Sequence, residues 1–275
     1  MNTNLNDPHE APLGYIALNW PVASSYGGGL NSTALLVKWV IDGNAPIDKI
    51  IFADTGGERT HTYENVHRVS EWLVKHGMPA VEITRKGGRQ ETLEQYALRT
   101  RHLPSLAYGT KGCSWKFKIE PQNRDVNRWP LAKQAWKRGD KVIKLIGYGY
   151  EEQRRLAKVK LEDEKYFYRF PLNEWEVDRA GCERIIRHVG LPGPGKSACF
   201  FCPSSKKAEI LALPADLKAR AIHIEVVARE AGHMRTTKGL GRQFAWGDFL
   251  NGAEVPEPIV MPCMHCVDGP DDTEL

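Results

Sequence analysis

Long apolar runs are missing from this chain of 275 residues, and no stretch of it could span a bilayer as a helix. The first ten residues are polar, so no secretion signal is expected either. An excess of one charge is also lacking, because 38 Lys and Arg residues face 34 Asp and Glu residues. This balance excludes a protein that binds polyanions through net charge alone. We therefore expect a cytoplasmic protein with no membrane partner.

Cysteine is sparse, and its spacing is informative. The chain has six cysteines, of which four form two C-x-x-C pairs, Cys199 with Cys202 and Cys263 with Cys266. Inside a cell, such pairs more often bind metal or take part in redox chemistry than form structural disulfides. Cys182 lies in an apolar pattern of helical spacing, which predicts a small core residue.

Apolar periodicity alternates between strands and helices over the first 150 residues. Strands are predicted near 16–24, 49–54, 80–84 and 142–147, and helices near 32–42, 60–76, 91–100 and 151–160. This alternation predicts an α/β fold with a doubly wound parallel sheet in residues 1–160. Residues 161–275 are predicted to form a helical, cysteine-bearing extension packed on that domain. Within them, 206–231 is predicted to be helical, whereas the earlier stretch 101–130 is predicted to be rich in loops.

A glycine-rich segment, S-Y-G-G-G-L-N-S-T-A at 25–34, lies between the first predicted strand and the first helix. Consecutive glycines let the backbone turn sharply and approach a ligand closely. The free N–H groups of the following helix would then face an anion. Hydroxyl donors come from Ser25, Ser32 and Thr33. The segment predicts a phosphate-binding loop.

The second predicted strand, I-I-F-A-D at 50–54, ends in a carboxylate. It is followed by T-G-G-E-R-T, which contributes Thr55 and Glu58. Open parallel sheets bind ligands at the carboxyl ends of their strands. Asp54 is therefore predicted to lie beside the glycine-rich segment.

Together these segments resemble the PP-loop ATP pyrophosphatase superfamily, and specifically its phosphoadenylylsulfate (PAPS) reductase-like branch. Three further segments carry the resemblance: G-C-S-W-K-F-K-I-E-P at 112–121, L-I-G-Y-G-Y-E-E-Q-R-R at 145–155 and Y-R-F-P-L-N-E-W at 168–175. The resemblance covers roughly residues 17–207 and implies an adenine nucleotide alpha-hydrolase-like fold. Asn31 departs from the pattern, since many members carry Asp there.

The resemblance implies that ATP and Mg²⁺ bind at the glycine-rich segment. Residues implied to contact the nucleotide are Ser25, Gly27, Gly28, Gly29, Asn31, Ser32, Thr33, Thr55, Glu58, Lys116 and Lys118. The implied catalytic residues are Asp54, Glu151 and Arg155, with Arg155 as an anion clamp. Enzymes of this kind split ATP between its α- and β-phosphates and activate a substrate oxygen as the adenylate.

The cysteines allow two metal assignments. Similar reductases hold a [4Fe–4S] cluster, which here would be bound by Cys113, Cys199 and Cys202, with Cys263 or Cys266 as a fourth ligand or one iron left open. Ser114 stands where the family has a second cysteine. The alternative is a structural Zn²⁺ site made by Cys199, Cys202, Cys263 and Cys266.

We interpret the chain as an ATP-dependent sulfurtransferase that forms AMP and pyrophosphate. A sulfonucleotide reductase is the first alternative, although the family's C-terminal E-C-G-L-H-like thiol motif has no match after Cys202. A non-catalytic nucleotide- or nucleic-acid-binding module braced by zinc is the second. Expected partners are a nucleotide, a sulfur donor such as a cysteine desulfurase, and a tRNA or DNA substrate, with oligomers allowed. Similar small proteins occur in phages.

The segment G-L-P-G-P-G-K-S at 190–197 satisfies the Walker A pattern. That pattern works only between a strand and a helix. Here a helical apolar pattern precedes it and C-F-F-C-P follows it. We predict instead that this loop presents Cys199 and Cys202, with Lys196 available to an anion.

Overall fold

A computed structural model describes residues 20–87, 90–104, 106–107, 110–232, 234 and 237–258. The predictions that involve Cys263 and Cys266 lie outside these residues. Within the described ranges, no helix combines the length and apolar character needed to cross a bilayer.

A parallel sheet of five strands forms the centre of the fold, in the order β3-β2-β1-β6-β7. Its strands are β1 (Val22–Tyr26), β2 (Lys49–Ala53), β3 (Val81–Thr84), β6 (Val142–Ile146) and β7 (Tyr166–Arg169). A separate two-stranded antiparallel ribbon consists of β4 (Leu106–Ala107) and β5 (Thr110–Lys111). The doubly wound α/β fold predicted from the sequence is confirmed.

Helices follow most strands, and the longest have one apolar face. The first six are α1 (Leu30–Ile41), α2 (Thr60–Lys75), α3 (Leu93–Thr100), α4 (Gly112–Ser114), α5 (Glu120–Arg128) and α6 (Pro130–Lys137), with a π-helix at Trp115–Ile119. The others are α7 (Gln153–Leu156), α8 (Pro171–Glu174), α9 (Arg179–His188), α10 (Lys207–Leu211), α11 (Ala215–Glu230) and α12 (Trp246–Leu250), with a 3₁₀ turn at Tyr150–Glu152.

Three apolar cores hold these layers together. One face of the sheet packs on α1, α2 and α9 around Trp39 and Cys182, which confirms Cys182 as a core residue. The opposite face packs on α5 and α6. The third core joins α3 and the π-helix to the C-terminal helices around Phe200, Phe201 and Trp246. This third core fixes the C-x-x-C segment against the sheet domain.

The order of the strands places the candidate site. The chain runs outward from β1 through β2 to β3, then returns to the other side of β1 with β6 and β7. The carboxyl ends of β1 and β6 therefore border a topological switch point, where open α/β sheets bind ligands. Gly147 allows this approach, because a Cβ there would lie 3.0 Å from the Cα and backbone nitrogen of Ser32.

Some predicted elements differ from the structure. The stretch 101–130 was predicted to be loop-rich, yet it contains a β-ribbon, a π-helix and α5. The predicted helix 206–231 is divided by Leu213 and Pro214, because proline cannot continue the hydrogen bonding of a helix interior. The predicted helix 151–160 is reduced to a 3₁₀ turn and α7. Strand β7 adds residues beyond 160 to the sheet; the domain boundary at 160 stays a prediction.

Candidate functional site

The glycine loop, Gly27–Gly29, connects the end of β1 to the start of α1. Gly28 has a positive φ of 75°, and a Cβ there would lie 2.9 Å from the Thr62 methyl group, so only glycine fits without strain. The Ser32 hydroxyl accepts a hydrogen bond from the Gly27 N–H at 3.2 Å and donates one to the Gly29 carbonyl at 3.3 Å. The loop is therefore held as a preformed turn at a helix N-terminus, the geometry that binds phosphate.

A polar network lies behind the loop. Asn65 donates through Nδ2 to the Gly28 carbonyl at 3.0 Å, to the Tyr26 hydroxyl at 3.0 Å and to Thr33 Oγ1 at 3.1 Å. The hydroxyls of Tyr26 and Thr33 are 3.2 Å apart. The sequence predicts that Thr33 contacts the nucleotide. In the structure its hydroxyl accepts a hydrogen bond from Asn65 of α2, and Asn65 also holds the glycine loop.

Asn31 ties the first turn of α1 to the segment after β6. Its Nδ2 donates to Glu152 Oε2 at 3.1 Å, and the same oxygen accepts from the Gly149 N–H at 2.8 Å. Glu152 also forms a buried ion pair with Arg155. The guanidinium of Arg155 lies over the ring of Tyr148, 4.2 Å from its centroid.

Glu151, the predicted catalytic carboxylate, is the half-buried neighbour of this buried ion pair. Its carboxylate oxygens lie beside Gly149, where a Cβ would be only 2.7 Å away. Asn31 Oδ1 is buried and makes no hydrogen bond to the residues described here. Mg²⁺ prefers oxygen ligands of this kind, so Asn31 Oδ1 and the Glu151 carboxylate are groups that could hold it. The bound Mg²⁺ would offset the negative charge of the nucleotide phosphates.

Asp54 is fully engaged with neighbouring groups. Oδ1 accepts from the Gly56 N–H at 2.7 Å and from the Tyr63 hydroxyl at 2.8 Å, while Oδ2 accepts from Arg85 Nε at 2.8 Å and Nη2 at 2.7 Å. Burial and the adjacent Asp54 carboxylate raise the pKa of Tyr63 well above its usual range. This arrangement holds the turn after β2 in place. A catalytic role for Asp54 stays a prediction.

A large pocket of about 440 Å³, here called the loop pocket, opens beside the glycine loop. On one side the pocket is bounded by the face of the sheet that packs on α5. On the other side it is bounded by the chain segment that runs from the π-helix into α5. Its lining includes Ser25, Tyr26, Gly27, Phe52, Ala53, Trp115, Lys118, Gln122, Asn123, Lys144, Ile146, Tyr148, Tyr166, Tyr168 and Ser197. The Ser25 hydroxyl donates to Gln122 Oε1 at 2.7 Å. Its size and aromatic walls suit a nucleotide.

A smaller cavity of about 50 Å³, the thiol cavity, adjoins the loop pocket. Its lining includes Thr55, Cys113, Ser114, Lys118, Lys196, Ser197, Cys199 and Cys202. Lys118 and Ser197 line both spaces. The cysteines that the sequence predicted as ligands therefore meet beside the predicted nucleotide site.

The buried carboxylate of Glu58 organises one wall of the thiol cavity. Glu58 Oε1 accepts from Thr55 Oγ1 at 3.1 Å and pairs with Lys118 Nζ at 3.2 Å. Cys199 Sγ lies 3.2 Å from Thr55 Oγ1 and 3.9 Å from Glu58 Oε1. Burial, and then the charge of Glu58, raises the pKa of the Cys199 thiol. Thr55 and Glu58, predicted at the rim of the nucleotide site, thus lie with the thiols.

The predicted iron–sulfur cluster would need the thiols of Cys113, Cys199 and Cys202 to converge on one space. Three thiols share one cavity, but its volume is roughly that of three or four water molecules. Within the described ranges, no group of three or more His, Cys, Asp or Glu side chains could hold a metal ion. Cys263 and Cys266, either of which could supply the fourth ligand, lie outside the described residues, so the [4Fe–4S] cluster stays a prediction.

Two lysines that the sequence predicts to contact an anion are already engaged with protein groups. Lys116 donates to the Tyr96 hydroxyl at 2.9 Å on α3, away from the glycine loop. Lys196 donates to both carboxylate oxygens of Glu209, at 2.8 and 3.0 Å. Its Walker-like segment follows α9 and leads into a turn, so the rejection of a Walker site is confirmed.

Sequence reasoning missed Glu152, Lys144 and Tyr166. Glu152 is next to Glu151 in the chain, and the 3₁₀ turn at Tyr150–Glu152 directs the Glu152 carboxylate toward Asn31. The sequence alone does not distinguish the two carboxylates. Lys144 interrupts an otherwise apolar strand, V-I-K-L-I, and this was a readable signal. A lysine in such a strand either pairs inside the protein or faces a pocket.

Comparisons with known proteins agree with the fold. No protein-family model matches the chain, and no curated protein matches it. A crystal structure of PAPS reductase from Candida auris, a phosphate complex, is 19% identical over 67% of this chain and 84% of that chain, with a TM-score of 0.45. The U34-tRNA thiolase NcsA from Methanococcus maripaludis, with its [4Fe–4S] cluster, is 14% identical over 88% of this chain and 76% of that chain, with a TM-score of 0.39.

Proposed function

We propose that this protein is an ATP-dependent sulfurtransferase that forms AMP and pyrophosphate. One observation carries the proposal: the loop pocket and the thiol cavity share Lys118 and Ser197. A nucleotide held at the glycine loop would lie next to Cys113, Cys199 and Cys202. A protein that only bound nucleotides would have no need of thiols in that position.

In the first step, an oxygen of the acceptor substrate attacks the α-phosphorus of ATP, and pyrophosphate leaves. The glycine loop and the first turn of α1 offer N–H groups to the phosphates. Mg²⁺ near Asn31 and Glu151 would offset the charge that develops on pyrophosphate. Arg155 forms an ion pair with Glu152, and Glu152 accepts a hydrogen bond from Asn31. Arg155 therefore acts on this step as a positioning residue.

In the second step, a thiol of the cavity carries sulfur as a persulfide. Its terminal sulfur attacks the adenylated carbon, and AMP leaves with the oxygen. A second thiol then attacks the inner sulfur, which releases the thiolated product and leaves a disulfide. The C-x-x-C spacing of Cys199 and Cys202 suits such an exchange. An external dithiol must then reduce the disulfide before another turnover.

The test loads the full-length protein with sulfur by means of a cysteine desulfurase and ³⁵S-labelled cysteine, without oxygen. Labelled protein is then mixed with ATP, Mg²⁺ and either total tRNA or sheared DNA. We expect label on one nucleic acid, together with AMP and pyrophosphate. The variants Cys199→Ser and Cys202→Ser should bind ATP but transfer no label, whereas Cys182→Ala, in the sheet core, should transfer normally.

Two results would contradict the proposal. If label is transferred without ATP, adenylation is not part of the reaction. If both serine variants still form AMP at the wild-type rate, the thiols take no part in it. Iron, zinc and acid-labile sulfide should be quantified in the same preparation. Stoichiometric zinc without iron would instead favour the zinc-braced binding module.

A further inference from the structure

Lys144 is a buried lysine that the proposed reaction does not use. It lies in the middle of β6, paired with Ala23 of β1 and Tyr168 of β7, and only 6% of its surface is exposed. Its neighbours Ile143 and Leu145 point into the core with α1. Lys144 is directed to the opposite face of the sheet, where it lines the loop pocket.

The ammonium of Lys144 has few partners inside the protein. Its Nζ donates to Asn123 Oδ1 at 2.9 Å and lies 5.3 Å from the centroid of the Tyr166 ring. No carboxylate of the described residues lies within ion-pair distance of it. Lysine is almost never fully buried without a counter-charge, because loss of hydration is costly. An ammonium has three donors, and only one is used here.

One carboxylate, Asp163, lines the same pocket as Lys144, but its oxygens already accept three hydrogen bonds. Asp163 Oδ1 accepts from the backbone N–H groups of Lys165 and Tyr166, each at 2.8 Å, and Oδ2 accepts from the Tyr168 hydroxyl at 3.0 Å. Burial lowers the pKa of Lys144 to about 8, and the charge of Asp163 opposes this shift. Most of the lysine therefore stays charged at neutral pH, and Asp163, which acts on it, lies beyond ion-pair distance.

Tyr166 provides a second, independent sign of a missing ligand. The residue is 5% exposed and lines the same pocket. Its hydroxyl is buried and has no hydrogen-bond partner among the residues described. A buried hydroxyl without a partner is destabilising unless a ligand or water completes it. Lys144 and Tyr166 thus line one pocket, and each has donor capacity that the described residues do not use.

We propose that Lys144 and Tyr166 form an oxyanion subsite at the deep end of the loop pocket, which binds a phosphate-type group. Ile146 pairs with Ser25 at the level of the glycine loop, and Lys144 lies two residues earlier. At about 3.3 Å per residue, this places the backbone of Lys144 about 7 Å from the loop, and that of Tyr166, which pairs with Val142, about 13 Å from it. The subsite binds an anion different from the one at the loop, either another phosphate of the nucleotide or a phosphate of the acceptor.

The proposal deepens the proposed function, since it names a second charged contact in the same pocket. Calorimetry with the full-length protein separates the two sources of the anion. One titration adds a non-hydrolysable ATP analogue to free protein, and the other adds inorganic phosphate both to free protein and to protein saturated with that analogue. The variants are Lys144→Met and Tyr166→Phe, with Lys141→Met as control, because Lys141 pairs with Glu162 outside the pocket.

We expect each pocket variant to weaken one of the two titrations, by about tenfold for Lys144→Met and less for Tyr166→Phe. Weaker analogue binding would assign the subsite to the nucleotide, and weaker phosphate binding alone would assign it to the acceptor. Unchanged affinities in both titrations would overturn the proposal. Tyr166→Phe removes only an unpaired hydroxyl, so it should fold even where Lys144→Met does not.

Failure of the subsite and failure of the proposed function give different results. If wild-type protein and both variants bind the analogue with the same affinity, the proposed function stands and the subsite is refuted. Protein that binds phosphate through Lys144 but does not bind the analogue keeps the subsite and loses the ATP-dependent reaction. If wild-type protein binds neither probe, both proposals fall.

Discussion

Asn31 and Glu152 join the two halves of the sheet through one buried hydrogen bond, with Asn31 Nδ2 3.1 Å from Glu152 Oε2. Asn31 lies in the first turn of the helix that follows β1, and Glu152 follows β6 across the switch point. The family's usual Asp at this position would set two carboxylates side by side. Asparagine instead donates a hydrogen bond, so this departure from the family pattern matches its local surroundings.

Asn31→Asp should therefore destabilise the protein. The change removes a donor and places a second negative charge beside buried Glu152, which we expect to lower the free energy of unfolding by about 2–3 kcal/mol. Urea denaturation measures this loss. Asn127→Asp, an exposed change of the same net charge, should have little effect. Asn31→Asp should cost less in a Glu152→Gln background than in wild type, and equal stability of Asn31→Asp and wild type would refute the argument.

Glu151 and Glu152 should separate into a catalytic and a structural role. Glu151→Gln should abolish pyrophosphate release and leave the denaturation curve unchanged, because Glu151 is the half-buried member of the pair. Glu152→Gln should cost about 3 kcal/mol in stability, since it leaves the buried Arg155 guanidinium without its counter-charge. Pyrophosphate assays and urea denaturation on both variants decide the matter. Normal turnover by Glu151→Gln would remove this carboxylate from the mechanism.

Asp54 should act by positioning the turn after β2. Its oxygens already accept from Gly56, Tyr63 and Arg85. Asp54→Asn should cost about 2 kcal/mol, and Tyr63→Phe about 1 kcal/mol, in the free energy of unfolding. Both variants should raise KM for ATP more than they lower kcat. A stable Asp54→Asn variant that binds ATP normally but has lost kcat would support the catalytic role instead.

The fold was largely readable from the sequence, because apolar periodicity and glycine placement report on local structure. The sequence predicts β2, β3, β6 and the glycine loop close to their observed positions, whereas the strand predicted at 16–24 is observed at Val22–Tyr26. Side-chain partners depend on contacts between residues far apart in the chain, and these were not readable. Asn31 with Glu152 and Glu58 with Cys199 are examples, separated by 121 and 141 residues. The sequence identified the chemical groups, but not which of them are already engaged with one another.

Gly147 should be required for nucleotide binding more than for folding. A Cβ at this position would lie 3.0 Å from the Cα and the backbone nitrogen of Ser32, and backbone cannot rotate away as a side chain can. Gly147→Ala should shift the first turn of α1 and weaken ATP binding by about tenfold, measured by calorimetry. Gly193→Ala is the control, since no atom lies within 4 Å of its added Cβ. Equal ATP affinity in Gly147→Ala and wild type would show that the loop tolerates the shift.

Glu225 should stabilise the C-terminal region through backbone hydrogen bonds rather than chemistry. This buried carboxylate on α11 accepts from the N–H groups of Leu240 at 2.6 Å, Trp246 at 2.8 Å and Gly247 at 3.1 Å. Glutamine offers one acceptor oxygen and an NH₂ group that would face N–H donors. Glu225→Gln should therefore lower the free energy of unfolding by about 2–3 kcal/mol, whereas the exposed Glu230→Gln on the same helix should not.

The pH dependence of unfolding provides a second test of Glu225. Burial raises its pKa above the ordinary value of 4.5, although the three backbone donors oppose the shift. The folded state therefore binds this proton more tightly than the unfolded state does. This part of the stability is fully present below pH 4.5 and is lost as the pH rises through the folded pKa. Urea denaturation at a series of pH values should show this decline in wild type and a smaller one in Glu225→Gln. Parallel curves for the two proteins would mean that Glu225 does not change its affinity for protons on folding.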